Sequence, residues 1–213
     1  MNIVRLTVGA FQENCYLVSD PETGSAVLID PGEEGQRLVA AVRAAGVRLE
    51  AVWVTHGHLD HVGGIAELKR HFDVPIYLHR DDLPLYRLAD RQAAAYGLPF
   101  ETPPLPDREF VEGEPASVGS LDFAVLHAPG HAPGHVVIHG HGVAFCGDCV
   151  FAGSIGRTDL PMSDGHALAR SLERIVELPA ETVLYPGHGP ETTLERELVS
   201  NPFLNGSARI VGA

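Results

Sequence analysis

Apolar and polar positions alternate, or β-branched residues run together, over Ile3 to Val8, Asn14 to Val18 and Ala26 to Ile29. Turn residues such as Pro21-Glu22-Thr23-Gly24 close these runs, and the pattern predicts strands. The period then changes. Leu38, Val39, Val42 and Ala45 recur at helical spacing within Glu33 to Ala45, and Gly46 ends the segment. A strand over Glu50 to Val54, a helix over Gly64 to Phe72, a strand over Ile76 to Leu78 and a helix over Asp81 to Tyr96 follow. Four prolines in Gly97 to Asp107 forbid helix and central strand there. Leu98, Phe100 and Leu105 make that stretch an ordered loop between two halves, not a flexible linker. Beyond it the pattern predicts strands at Leu121 to Leu126, His135 to His139 and Val143 to Phe145. A helix from Gly165 to Glu177, a strand from Thr182 to Leu184 and a helix from Thr192 to Ser200 complete the chain.

Strands and helices intermixed in this way predict sheets covered by helices in layers. At 213 residues and 45% apolar composition, the chain can bury a substantial core and is not disordered. It holds no run of about 18 apolar residues, so a membrane span is not expected. Arg5 interrupts the apolar N-terminal stretch, which therefore does not read as a signal peptide. Three cysteines, an odd number, fit a reducing compartment, and a cytoplasmic protein is expected. Cys146 and Cys149 form a CxxC, but with no second pair they read as buried thiols, as does Cys15. The net charge of −13 disfavours nucleic acid as a partner, because such binders need clustered Lys and Arg.

The twelve histidines change the picture. Four apolar strands each run into a Gly-containing loop that carries His or Asp. These loops are Thr55-His56-Gly57-His58-Leu59-Asp60-His61, Pro129-Gly130-His131-Ala132-Pro133-Gly134-His135, Cys146-Gly147-Asp148 and Pro186-Gly187-His188-Gly189. Loops at one end of a rigid sheet are common places to build a site. Their side chains exceed the three or four protein groups that one divalent ion takes. His56 and His58 could reach one ion; Asp60 and His61 could reach a second roughly 3.5–4 Å away. Asp148 could bridge the pair, with His131 and His188 completing one ion each. His135, at the start of a strand, reads as support for a ligand, not as a ligand. No thiolate is needed, so Zn, Fe and Mn all suit the set.

On these residues the chain resembles the metallo-β-lactamase superfamily over nearly its whole length. The resemblance implies an α+β fold, a four-layer αββα sandwich of two similar halves with metals at the sheet edges. It implies two divalent metal ions, the first held by His56, His58 and His131, the second by Asp60, His61 and His188, with Asp148 bridging. NCYLV, APGHAPGH, FAGSIGRTD and YPGHG look like the glyoxalase II group, hydrolases of S-acylglutathione thioesters, and most like its short bacterial branch. One domain over residues 1–213 is then expected, without the C-terminal helical domain that holds glutathione in longer members. Arg157 matches a basic residue that family members place on the glutathione glycine carboxylate, although an ion pair with Asp159 is an equal reading. Asp159 stands where those enzymes often have tyrosine.

Two divalent ions against Asp60, Asp148 and a bridging hydroxide leave the centre at about +1, attractive to a polarised oxygen. A metal-lowered water pKa supplies hydroxide at neutral pH, and Asp60 could orient it onto a thioester carbonyl of S-lactoylglutathione. Tyr86 and Tyr96, with Phe100 of the proline-rich loop, are candidate walls of the substrate pocket. The rival enzyme reading is a glutathione persulfide dioxygenase with a single iron on residues matching His56, His131 and Asp148. A β-lactamase is disfavoured because Asp148 stands where those enzymes usually have cysteine. The rival outside enzymes is a non-catalytic metal-binding module, which a broken ligand set would mark.

Overall fold

The computed structural model describes residues 1–210. Its first half contains strands β1 (Asn2–Val8), β2 (Glu13–Ser19) and β3 (Ser25–Ile29), helix α1 (Gly35–Ala45), strand β4 (Arg48–Trp53), helices α2 (Leu59–Val62) and α3 (Ile65–His71), and strand β5 (Ile76–Leu78). Short helices α4 (Leu83–Tyr86) and α5 (Ala89–Ala95) follow, then strand β6 (Arg108–Glu109). The second half contains strands β7 (Ala116–Val118), β8 (Leu121–His127), β9 (Val136–Gly140) and β10 (Val143–Gly147), the hairpin β11 (Val150–Phe151) and β12 (Ser154–Ile155), and helix α6 (Gly165–Ile175). It ends with β13 (Val183–Pro186), β14 (Thr192–Thr193) and α7 (Leu194–Ser200).

Strands β1 to β6 form one sheet in sequence order, and β14-β13-β10-β9-β8-β7 form the other. The pleat sorts side chains into layers, because successive residues of a strand face opposite ways. In β2, Tyr16 and Val18 face inward against the second sheet, while Cys15 and Leu17 face outward to a separate core. Trp53 marks the middle layer, with Phe123 of the opposing sheet edge-on at 5.8 Å between ring centroids. Leu38, Val39 and Val42 of α1 and Ile65 and Leu68 of α3 cover the first sheet. Leu168, Leu172 and Ile175 of α6 cover the second. Helix, sheet, sheet and helix are thus stacked, the expected α+β sandwich.

One predicted helix is broken. The segment Asp81 to Tyr96 divides into a 3-10 turn at Arg80–Asp82, then α4 and α5. Pro84, in the first turn of α4, has no N–H to bond back into the preceding turn, which breaks the helix there. The strands absent from the sequence prediction are β6, β7, β11, β12 and β14, each of two or three residues. The proline-rich loop is extended and anchored: the Tyr86 hydroxyl donates to the Pro104 carbonyl at 2.7 Å.

Candidate metal centre

Strand ends of both sheets converge on one place. His56, His58 and His131 have ligand atoms within 4.8 Å of one another, as do His56, His61 and Asp148, and Asp60, His61 and His188. All seven predicted metal-ligating residues therefore come together. Asp148 is central: its Oδ1 lies 3.5 Å from His61 Nε2, and its Oδ2 lies 3.5 Å from both His131 Nε2 and His188 Nε2. Asp60 Oδ2 lies 3.2 Å from His188 Nε2.

The ring nitrogens not aimed at the centre are fixed from behind. His131 Nδ1 donates to the Arg157 carbonyl at 2.9 Å, and His188 Nδ1 to the Phe11 carbonyl at 3.1 Å. His61 Nδ1 meets Asp30 Oδ2 at 3.1 Å. His56 Nδ1 lies 3.1 Å from the Thr55 hydroxyl, which itself donates to Asp30 at 2.7 Å. A carbonyl or carboxylate partner at Nδ1 fixes the tautomer and leaves Nε2 free as a ligand atom. His58 is turned the other way, with Nδ1 3.0 Å from His131 Nε2. His56 Nε2, His61 Nε2 and Asp148 Oδ1 are buried without a hydrogen-bond partner among the described residues. Buried polar groups are rarely left so, and these three face one another across the space a cation would fill. The donor set, all imidazole and carboxylate, fits Zn, Fe or Mn.

Charge is divided across the cluster. Burial, reinforced by neighbouring imidazoles, pushes His56 well below the ordinary range and His58 down to about 3. Burial also lowers His131. Burial acts on His61 in the same direction, but the Asp148, Asp60 and Asp30 carboxylates together hold it well above. Burial alone would raise Asp148; His61, His131 and His188 instead hold it far below the usual carboxylate range. Burial thus favours neutral imidazole at His56, His58 and His131, whereas the surrounding carboxylates favour the charged form at His61. Cation binding displaces protons from such a cluster.

His135 does not join the ligand groups. Its Nε2 accepts the Asp148 backbone N–H at 3.0 Å, its Nδ1 lies 3.3 Å from Cys149 Sγ, and its ring stacks on His56 at 4.8 Å. The backbone donor requires an unprotonated Nε2, so in the neutral ring Nδ1 carries the hydrogen toward the sulfur. Cys149, read from sequence only as a buried thiol, is therefore part of the support for Asp148.

Four supporting acids or thiols escaped the sequence reading. Asp30, at the end of β3, holds Thr55 and His61. Its signal was present: an apolar strand runs into Asp30-Pro31-Gly32, as the other site strands run into theirs. Asp82, fully buried, accepts N–H groups from Gly57 at 2.6 Å and from Gly134, tying together the loops of His58 and His131. Glu13 is buried behind His61, and burial holds its carboxyl well above the ordinary range. Cys149 is the fourth.

A cavity of about 860 Å³ opens onto His58, Asp60, His131, Asp148 and His188. Tyr96 lines it, as expected. Tyr86 and Phe100 do not: Tyr86 is buried in the core, and Phe100 packs against the same core cluster. Arg157 lines the cavity, but its guanidinium is paired to Asp159 by two bonds of 2.6 and 2.7 Å.

Known proteins share this arrangement of chain. The chain is 42% identical to hydroxyacylglutathione hydrolase GloC of Haemophilus influenzae over 213 residues, 98% of this chain and all of that one. A crystal structure of TTHA1623 in a di-iron-bound form superposes with a TM-score of 0.88 at 48% identity, covering 94% of this chain and 100% of that one. A crystal structure of BLEG-1 B3 metallo-β-lactamase superposes with a TM-score of 0.90 at 32% identity, covering 96% and 100%. The family model of the metallo-β-lactamase superfamily matches residues 8–188, which span every candidate ligand. The chain belongs to the metallo-β-lactamase superfamily.

Proposed function

We propose that the protein is a binuclear metallo-hydrolase of S-acylglutathione thioesters, with S-lactoylglutathione as its reference substrate. The observation that carries this is the set of imidazoles whose outer nitrogens are tied down while their inner nitrogens face Asp60 and Asp148 at the floor of a substrate-sized cavity. His56, His58 and His131 would hold one divalent ion, Asp60, His61 and His188 the other, and Asp148 both. The likeness to GloC supports the thioester substrate, and that to di-iron TTHA1623 supports iron as one usable metal.

Two such ions supply Lewis acidity toward an acyl carbonyl and make water acidic enough to react at neutral pH. The protein residues do the rest. Asp60 faces the cavity and is steadied by His188, so its carboxylate can accept a proton from an attacking water and orient it. His135 accepts the Asp148 backbone N–H and so holds the stretch of chain from which that carboxylate projects. The apolar cavity walls exclude competing water. A thiolate leaves without protonation, so no general acid is required of the chain.

The test is hydrolysis of S-lactoylglutathione by protein loaded separately with zinc, iron and manganese, with Asp148→Ala as the blank. Turnover that vanishes in the variant is expected. Nitrocefin hydrolysis, or oxygen uptake with glutathione persulfide, in place of thioester turnover would overturn the proposal. Each would move the chemistry to a β-lactam or to a single-iron oxygenase.

A further inference from the structure

The cavity differs in character from its floor. Leu85 of α4, Ala95 of α5 and Leu88 and Tyr96, which flank α5, line it together with Leu160 and Met162. Tyr96 is 56% exposed and Met162 45%, large apolar surfaces left open at the rim. Met162 has a φ of 70°, a left-handed backbone that is unfavourable for a non-glycine residue. The turn is pinned by Ser163 Oγ on the Leu160 carbonyl at 2.6 Å and by the Asp164 N–H on the Gly130 carbonyl at 2.7 Å. Strained backbone kept in place beside a site commonly serves that site. Here it keeps a partly exposed thioether side chain at the cavity rim.

The polar groups of the walls are mostly committed. Gln92 Oε1 accepts the Leu59 N–H at 3.1 Å. The charge of Arg157 is neutralised by Asp159 in a planar two-bond pair. Arg91 is different. It lies on α5 between Leu88 and Ala95, three and four residues away and so on the same helix face, and it lines the cavity. Its guanidinium has no carboxylate partner among the described residues. A guanidinium is shaped to take a carboxylate by two parallel hydrogen bonds.

We propose that the cavity selects thioesters of a carboxylate-bearing thiol with an apolar acyl group, and that Arg91 holds the carboxylate. The proposal rests on the thioesterase reading and names its substrate class. The apolar walls take an alkyl or aryl acyl group without loss.

Two measurements test it. The first is kcat/KM for S-acetyl-, S-propionyl-, S-butyryl-, S-hexanoyl- and S-lactoylglutathione with the manganese-loaded protein. Burial of each added methylene should raise kcat/KM about fourfold until the cavity is filled, placing butyryl above lactoyl. The second is calorimetric binding of the thioethers S-methyl-, S-butyl- and S-hexylglutathione to protein stripped of metal, which needs no catalysis. Affinity should rise with chain length, and Arg91→Gln should weaken S-hexylglutathione tenfold or more. The same substitution should leave S-hexyl-N-acetylcysteamine, which has no carboxylate, unchanged. A flat series in both measurements, or a tenfold loss in Arg157→Gln with Arg91→Gln unaffected, overturns the proposal. Asp148-dependent turnover of S-lactoylglutathione beside a flat series removes the apolar class and spares the thioesterase. Chain-length-dependent binding with no thioester hydrolysed by any metal form removes both.

Discussion

Gly187 stands where the last site loop passes closest to the centre, and replacing it with alanine tests the geometry directly. A Cβ built there falls 2.3 Å from Asp148 Oδ1 and 2.7 Å from His61 Cε1, whereas ordinary contact begins at 3.4 Å. Asp148 Oδ1 must retreat by about an ångström or the loop must lift. The Asp148 carboxylate has little room to swing, because His61, His131 and His188 each lie 3.5 Å from it. A misplacement of about 1 Å at a reacting centre costs on the order of 100-fold in rate. Overpacking of this kind costs about 1–3 kcal/mol, and each kcal/mol lowers Tm by roughly 2–4 °C for a chain of this size. Gly189→Ala is the internal control. Gly189 lies in the same loop at φ +78° with nothing within 4 Å of the added carbon. It should therefore lose about 1–2 kcal/mol to backbone strain and little activity. The assay is kcat/KM on S-lactoylglutathione with bound metal counted by atomic absorption, alongside a melting curve. Gly187→Ala retaining activity within about threefold at full metal content would refute the close-contact argument.

Removing the metals should lower Tm. An ion at about 100 times its Kd stabilises by about 2.7 kcal/mol, so chelation should shift the melting curve down by roughly 5–10 °C, reversibly on readdition. Glu13→Gln should stabilise the metal-free protein at alkaline pH. The native Glu13 carboxyl titrates above its unfolded value, so its contribution is complete below the ordinary carboxyl range and is lost as pH rises through the folded value. The Tm gap between variant and wild type should therefore open from pH 5 toward pH 9; a gap independent of pH contradicts the assignment. Cys149→Ala should cost about 1–3 kcal/mol by leaving the buried His135 Nδ1–H without its sulfur acceptor, read as a fall in Cm at unchanged m value.

The site was more legible in the sequence than its support. His56, His58, Asp60, His61, His131, Asp148 and His188, which the structure brings together, stood out as candidates because glycine-containing loops with imidazole and carboxylate followed apolar strands. Asp30 follows the same rule, yet a lone Asp before Pro-Gly also reads as an ordinary turn. Asp82 was invisible, since its value lies in two backbone N–H groups donated from loops distant in sequence. The layering was legible because β2 and β3 alternate cleanly between two cores. Strands such as β11 and β14 were not, because two residues carry no period. Arg157 matched a family position, but its ion pair with Asp159 is settled only by side-chain geometry.

Asn14, on β2, donates to the carbonyl of Pro186, 172 residues further on, and the Asn14 N–H bonds to Gly187. During synthesis the early strand therefore leaves the ribosome long before its partner loop exists. At about 5–20 residues per second the wait is on the order of 10–30 s. His188 arrives with that loop, so the nascent chain can present the first His cluster but not the second until almost all of it has been made. The proposed pair of ion sites would thereby be a late product of translation, and a chain released early would carry only part of the proposed ligand set.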